Sequence, residues 1–383
     1  MTNVAVYGVG TTPFALAPER TATAMVTSAT REALADAGVD RIDAVYVGTA
    51  FGEMGAAQRA LRGLGIAEVP IVRVENACAS GTTAFHEGWA AISAGRYEHV
   101  LAIGVEHMSQ RRGAIPPEPR DPEGATGLAL PALYAMSASH YAATHGVTDR
   151  QLAAVAVKNR AHGASNPRAQ HPSAVTEDEV LASRMIAEPL TRLQCSSISD
   201  GAGAAVLGPA RGDDRDIPIR ASALGSGGLW DYRSDHAWGY EIVARIARQA
   251  YEQAGIGADD VDVFEVHDAF TIGEIVTTEA IGLAPEGEGA PLIAAGATTH
   301  GGRVVVNPSG GLLARGHPLG ATGLAQLAEL VWQLRGDAGP RQVDGARIGV
   351  VETMGGGVSG LDGNACVVAV LEAPTGQARR AGS

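Results

Sequence analysis

Apolar positions along this chain fall into two alternating rhythms. Short β-branched runs, such as Met1 Thr2 Asn3 Val4 Ala5 Val6 at the start and Val69 Pro70 Ile71 Val72 Arg73 Val74 later, favour extended backbone. Longer Ala-rich stretches, such as Ala79 to Ala94, place small and apolar residues at helical spacing. Strands alternating with helices predict mainly parallel sheets covered by helices.

The pattern also repeats. Arg31 Glu32 Ala33 Leu34 Ala35 Asp36 Ala37 Gly38 returns as Arg248 Gln249 Ala250 Tyr251 Glu252 Gln253 Ala254 Gly255, each an amphipathic helix closed by glycine. Each copy leads into a strand ending in phenylalanine, Ala44 to Phe51 and Asp262 to Phe270. A third match pairs Leu101–Met108 with Arg347–Met354 in the same order. Two widely spaced copies describe a duplicated domain, because a solenoid needs more and shorter repeats. The halves are read as 1–210 and 211–372, with a polar tail at 373–383. The Pro-, His- and Arg-rich stretch of about 111–190 has no counterpart and is read as an insertion over the active site.

Composition narrows the function classes. The 383 residues are 45% hydrophobic and 19% charged, which suits a globular chain with a sizeable core. A net charge of −13 argues against a nucleic-acid groove or an anionic membrane surface, both of which need positive patches. No basic leader or long apolar segment opens the chain, so a soluble, cytoplasmic protein is expected. Cys78, Cys195 and Cys366 are too few for a disulfide framework, and no clustered spacing suggests a metal site.

Cys78 stands where the run ending at Val74 gives way to the helix from Ala79. A helix N-terminus favours negative charge, so its thiol pKa is expected to fall from about 8.5 towards neutrality. The competing reading is a buried structural cysteine. Three polar points in the second half favour the nucleophile. His267, in Val266 His267 Asp268 Ala269 Phe270, follows a strand, where α/β sheets place ligand-binding groups. His317 lies in the Gly-rich loop Asn307 to Gly323, expected to run into a helix from Leu324 to Leu334. Gly355, Gly356 and Gly357 follow an apolar strand and expose backbone N–H groups. Together these supply a nucleophile, a base and oxyanion donors, the parts needed for acyl transfer.

ENACASGTTAF around Cys78, CSSISDGAGAAVL from Cys195, HDAF from His267 and NPSGGLLARGHPLGATG from Asn307 resemble, in order, the motif series of the thiolases, most of all the sterol-carrier and lipid-transfer type. The resemblance implies two duplicated βαβαβαββ halves in a five-layered αβαβα sandwich. It implies that Cys78 takes an acyl group from an acyl-CoA as a thioester and that His317 takes the thiol proton. His267 would then contribute to one oxyanion hole, and the Cys78 N–H with one from Gly355 to Gly357 would form the second. It further implies CoA as substrate carrier without a metal or redox cofactor, a place in lipid metabolism, and a homodimer or larger homo-oligomer, with or without a small OB-fold partner chain.

One departure is visible. The family's second cysteine, in a CxG or HDCF motif, is absent: the corresponding positions are read as Met354 and Ala269, while Cys366 sits in an apolar strand and Cys195 is read as structural. Three fates for the acyl group stay open. It passes to CoA or a carbon nucleophile with His267 as base; it passes to an already nucleophilic non-CoA carbon or amine acceptor; or the chain is an aldolase-like or structural partner of a small OB-fold protein. Arg111, Arg112, Arg150 and Arg160 are the candidate contacts for the CoA nucleotide.

Overall fold

The computed structural model describes residues 2–110 and 121–374. Arg111, Arg112 and most of the polar tail therefore lie outside the described residues. The first half runs β1 (Val4–Thr11), α1 (Ala22–Ala37), β2 (Ala44–Gly48), α2 (Ala56–Gly63), β3 (Ile71–Val74), α3 (Ser80–Ser93) and β4 (Val100–His107). The chain then departs through α4 (Pro122–Ala125), α5 (Leu130–His145), α6 (Asp149–Gly163), α7 (Glu177–Ala182) and a hairpin of β5 (Met185–Ala187) and β6 (Leu190–Thr191). It returns as β7 (Asp200–Pro209). The second half comprises β8 (Ile217–Gly225), α8 (Tyr240–Ala254), β9 (Val263–Glu265), α9 (Thr271–Ala280), α10 (Gly289–Ala294), β10 (Val305–Val306), α11 (Gly311–Arg315), α12 (Leu319–Arg335), β11 (Ile348–Gly355) and β12 (Ala365–Glu372).

The duplication is written into the strand order. The first half reads β3-β2-β4-β7-β1 and the second β10-β9-β11-β12-β8, the same order of equivalent strands. Antiparallel pairing of Val4–Val6 with Ile217–Ile219 joins the two at β1 and β8. The repeated helices end alike: Gly38 and Gly255 take left-handed backbone, φ 61° and 68°, and cap α1 and α8.

Alternation within strands sorts residues into layers. Val350 and Val368 face α8 and α9, packing with Ile246, Phe264 and Ile275. Their neighbours Val351 and Ala369 face the other way, onto Phe85 and Ile92 of α3 and Leu327 and Leu330 of α12. On the first half's outer face, Ala5 and Ile103 pack against Met25 of α1 and Leu61 of α2. The result is five layers, α1/α2, sheet, α3/α12, sheet, α8/α9, with α3 and α12 enclosed between the halves.

Three boundaries differ from the sequence reading. The strands expected to end at Phe51 and Phe270 end at Gly48 and Glu265. α12 begins at Leu319, not Leu324, because Pro318 occupies the N-cap with φ −77° and turns the GHP loop straight into the helix.

Candidate active site

The β3-to-α3 connection is a five-residue elbow built from local hydrogen bonds. The Glu75 carboxylate accepts from Ala77 N–H at 2.7 Å, Ser80 Oγ accepts from Asn76 N–H at 2.9 Å, and Asn76 Nδ2 donates to Thr83 Oγ1 at 3.0 Å. Ala77 is held at φ 48°, a left-handed conformation an alanine rarely adopts. The strain aims the next residue, Cys78, into the interior at the mouth of α3.

Cys78 is 4% exposed, and its surroundings reverse one expectation. Burial, followed by the charges of Glu106 and Glu75, pushes the thiol up to about 12 instead of lowering it. Desolvation outweighs the helix terminus, so Cys78 rests as a thiol. It needs a base in contact, and one is present: His317 Nε2 lies 3.2 Å from Cys78 Sγ.

The tautomer of His317 follows from its other nitrogen. Thr322 Oγ1 lies 2.7 Å from His317 Nδ1 and donates its own hydrogen to the Pro318 carbonyl at 3.1 Å. It can therefore only accept from Nδ1–H, which leaves the Nε2 lone pair facing sulfur. Burial, with His267 and Arg315 nearby, holds His317 well below the usual imidazole range, so it is neutral and able to take a proton. The CSSISDGAG segment positions it: His317 N–H donates to Ser197 O and Ser199 Oγ, each at 3.0 Å.

His267 follows β9 and meets His317 edge to face, ring centroids 5.1 Å apart. Its Nδ1 is buried without a hydrogen-bond partner, and burial lowers its pKa to about 3. Ring nitrogens of both histidines and Cys78 Sγ all lie within 4.8 Å of one another. The remainder of HDAF is structural: Asp268 accepts from Leu312 N–H at 2.7 Å and Leu313 N–H at 3.2 Å, fixing α11, and Ala269 is core.

Gly355 presses its backbone against the Asn76 carbonyl and Ala79 N–H, an approach that a Cβ would block. Gly356 and Gly357 line, with Cys78, a cavity of about 280 Å³ whose apolar walls include Phe51, Leu128, Leu130, Leu133 and Leu319. Glu75, Asp121 and Glu123 line it as well. Arg150 and Arg160 do not line it: Arg150 pairs with Glu177 and Asp178, and Arg160 donates to Ser173 O at 3.0 Å. A wider depression of about 830 Å³, lined by Asp40, Arg41, Asp43 and Arg96, lies beside the opposite ends of β2 and β4 and holds no nucleophile.

The two positions read for the second cysteine need correction at one point. Met354 turns its thioether outward to Gly239 and Gly363. Its neighbour Thr353 faces α12, donating to Gln326 Oε1 at 2.8 Å, so Thr353, not Met354, occupies the inner face one turn of the pleat before Gly355. Cys366 is buried opposite Met354 with Sγ 3.7 Å from Glu352 Oε1, and Cys195 bonds the Thr191 carbonyl at 3.3 Å.

Sequence reasoning missed three contributors. Thr322 is one. Glu106 is a second: its buried carboxylate accepts from Thr49 Oγ1, Ala50 N–H, Phe51 N–H and Gly320 N–H at 2.8 to 3.1 Å, tying the cavity wall to α12. Glu352, its equivalent in the repeat, accepts from His267 N–H at 2.9 Å and is raised by burial to about 7. An acid ending an apolar strand in both copies was the available signal.

Comparison with known proteins identifies the family. Residues 4–211 match the profile described as Thiolase, N-terminal domain, and residues 230–368 match Thiolase C-terminal domain-like. The chain is 41% identical over 374 residues to an acetyl-CoA acetyltransferase of Methanothermobacter thermautotrophicus, covering 93% of this chain and 97% of that protein. It is 37% identical over 381 residues to sterol carrier protein 2 of Gallus gallus, covering 92% of this chain and 69% of that one. A solved structure described as the Ltp2-ChsH2(DUF35) aldolase superposes with TM-score 0.84 at 25% identity, covering 98% of each chain. The chain belongs to the thiolase family and is an acyl-CoA acyltransferase of that family.

Proposed function

We propose that Cys78 accepts an acyl group from an acyl-CoA and holds it as a thioester before passing it to CoA or a carbon nucleophile. The observation that carries this reading is the 3.2 Å contact between Cys78 Sγ and an Nε2 whose lone pair is fixed by Thr322. His317 takes the thiol proton as sulfur attacks the acyl carbonyl, and returns it to the departing CoA sulfur. The orphaned Nδ1 of His267 supplies a polar group beside the attacked carbonyl. The N–H groups of Cys78 and of the Gly355–Gly357 turn would receive the acyl-enzyme oxygen, where one donor is worth about 10²- to 10³-fold in rate. The small, mostly apolar cavity suits an acyl group and the uncharged end of the CoA arm, while its carboxylates keep the phosphates outside.

The likeness to an aldolase complex supports a second reading, cleavage with a small OB-fold partner chain, and exposed Leu229 and Tyr232 offer apolar surface for one. The retained cysteine–histidine pair favours acyl transfer, since aldol cleavage needs no acyl-enzyme. A homodimer is part of the proposal: β3 is one of the two edge strands of the described sheet, with Val72 43% exposed, and backbone pairing there would build onto the elbow. Among the described residues no helix is long and apolar enough to cross a membrane. The three free cysteines suit the reducing cytoplasm.

Exchange of label between acetyl-CoA and isotopically labelled CoA tests the reading, because it needs only the first half-reaction. Wild-type protein should catalyse exchange and Cys78→Ser should not. Exchange that survives in Cys78→Ser, or that never occurs with any of several acyl-CoAs, would overturn it.

A further inference from the structure

We propose that Leu133 limits the length of the acyl group that Cys78 accepts, by standing as a wall one side chain thick between the Cys78 cavity and a second, apolar cavity. The inference rests on the acyl-enzyme reading above and names the substrate class of that same site, short acyl-CoA thioesters. Leu133 of α5 lines both the cavity of about 280 Å³ that holds Cys78 and another of about 100 Å³. Glu75, Asp121 and Glu123 are exposed or half-buried and mark the solvent mouth of the first. Leu133 is buried, as Cys78 is, and so belongs to its inner wall.

The second cavity lies between α5 and the loop that follows β8. Met136, Trp230, Tyr232 and Trp238 give it apolar surface. Its polar side chains have partners of their own: Ser137 Oγ donates to the Leu133 carbonyl at 3.3 Å, His140 Nε2 lies 3.0 Å from the Asp235 carbonyl, and His236 Nδ1 lies 2.8 Å from Glu286 Oε1. Hydrocarbon and aromatic faces are left for a ligand, which favours an apolar chain or ring. A volume of about 100 Å³ is the space of about three waters, room for a few methylene groups. Met136 and Tyr232 are exposed, so the outer end is open to solvent.

Trp238 is the other residue near both spaces, lining the second cavity and lying against Gly356, which lines the first. It is pinned: its Nε1 donates to the Leu361 carbonyl at 2.8 Å, and Tyr134 meets its ring edge-on at 5.4 Å. The Leu133 side chain carries no polar anchor, so it is the replaceable part of the wall. The first cavity must hold the acyl group and the end of the CoA arm together. Closed at Leu133, it leaves space for a short acyl group, and a longer one must displace Leu133 or leave its end unburied. Leu133 acts by exclusion and takes no part in bond making.

Rates of Cys78 acylation by acetyl-, butyryl- and octanoyl-CoA, read by rapid quench and intact mass, test this. In the wild type the octanoyl rate should fall well below the acetyl rate. Leu133→Ala joins the two cavities, and its octanoyl-to-acetyl ratio should rise about 10- to 200-fold. Taking the ratio within one variant cancels any loss of folded protein. Leu133→Val, a smaller truncation, should raise the ratio in the same sense and serves where the alanine variant fails to fold. Adding Ser137→Leu to either variant refills the second cavity, because a helical side chain points back over the preceding turn, and should restore the wild-type ratio. A wild type that takes octanoyl-CoA as fast as acetyl-CoA, truncations that keep the wild-type ratio, or a gain that Ser137→Leu does not reverse would each overturn the proposal. A wild type acylated by none of the three thioesters would overturn the acyl-enzyme reading itself, and this inference with it.

Discussion

At Cys78 two forces act on the thiol in opposite directions, and the larger is burial. The helix start was legible in the sequence, but the depth of the site was not, because desolvation comes from residues far along the chain. The consequence is a resting thiol beside a neutral imidazole, with reactivity set by the orientation of His317. Thr322→Val should leave Nδ1–H without its acceptor and free the ring to take the wrong tautomer. Its acylation rate, measured by rapid quench with acetyl-CoA, should fall about 10²- to 10⁴-fold with little change in melting temperature. Because His317 is held neutral well below pH 6.5, the wild-type acylation rate should lack an acidic limb near that pH. Ala77 carries the elbow's strain, so Ala77→Gly should not destabilise the protein and should gain up to about 1 kcal/mol in urea unfolding.

Among elements, local signals carried far. Glycine-capped α1 and α8, β4 against β11, and the switch from β3 to α3 were readable because period and capping are encoded within a few residues. The start of α12 and the inner-face position at Thr353 were not, since which side of β11 meets α12 is decided by packing between the halves. Glu106 shows the same limit: a carboxylate in an apolar run names no partners until α12 brings Gly320 N–H to it. Glu106→Gln would turn donor hydrogens towards a backbone N–H, a group that only donates, whichever way the amide is set. Melting temperature and acylation should both drop, with a loss of about 1–3 kcal/mol per unpaired group. Unchanged melting would show that Glu106 does not brace the cavity.

At the scale of the whole molecule, packing α6 against α9, α10 and α11 of the second half buries titratable groups and couples the fold to pH. His162 is buried and lowered to about 3, with Nδ1 3.0 Å from the Asn307 carbonyl. Between its unfolded value near 6.5 and that folded value, the unfolded chain binds more protons, so stability contributed by His162 is lost as pH falls. His162→Gln should therefore lose stability at pH 8 through lost hydrogen bonds. Its deficit relative to wild type should shrink at pH 4.5 by about 1.4 kcal/mol for each pH unit below 6.5. Parallel urea midpoints at the two pH values would contradict this. Cys78 and His317 come from different halves, and the proposed acylation of Cys78 needs both. Intact mass spectrometry after mixing the full chain with acetyl-CoA, followed by peptide mapping, tests it most directly. One added acetyl group is expected, located on Cys78 and absent in Cys78→Ala. An unmodified mass, or an acetyl group on Cys195 or Cys366 instead, would contradict it.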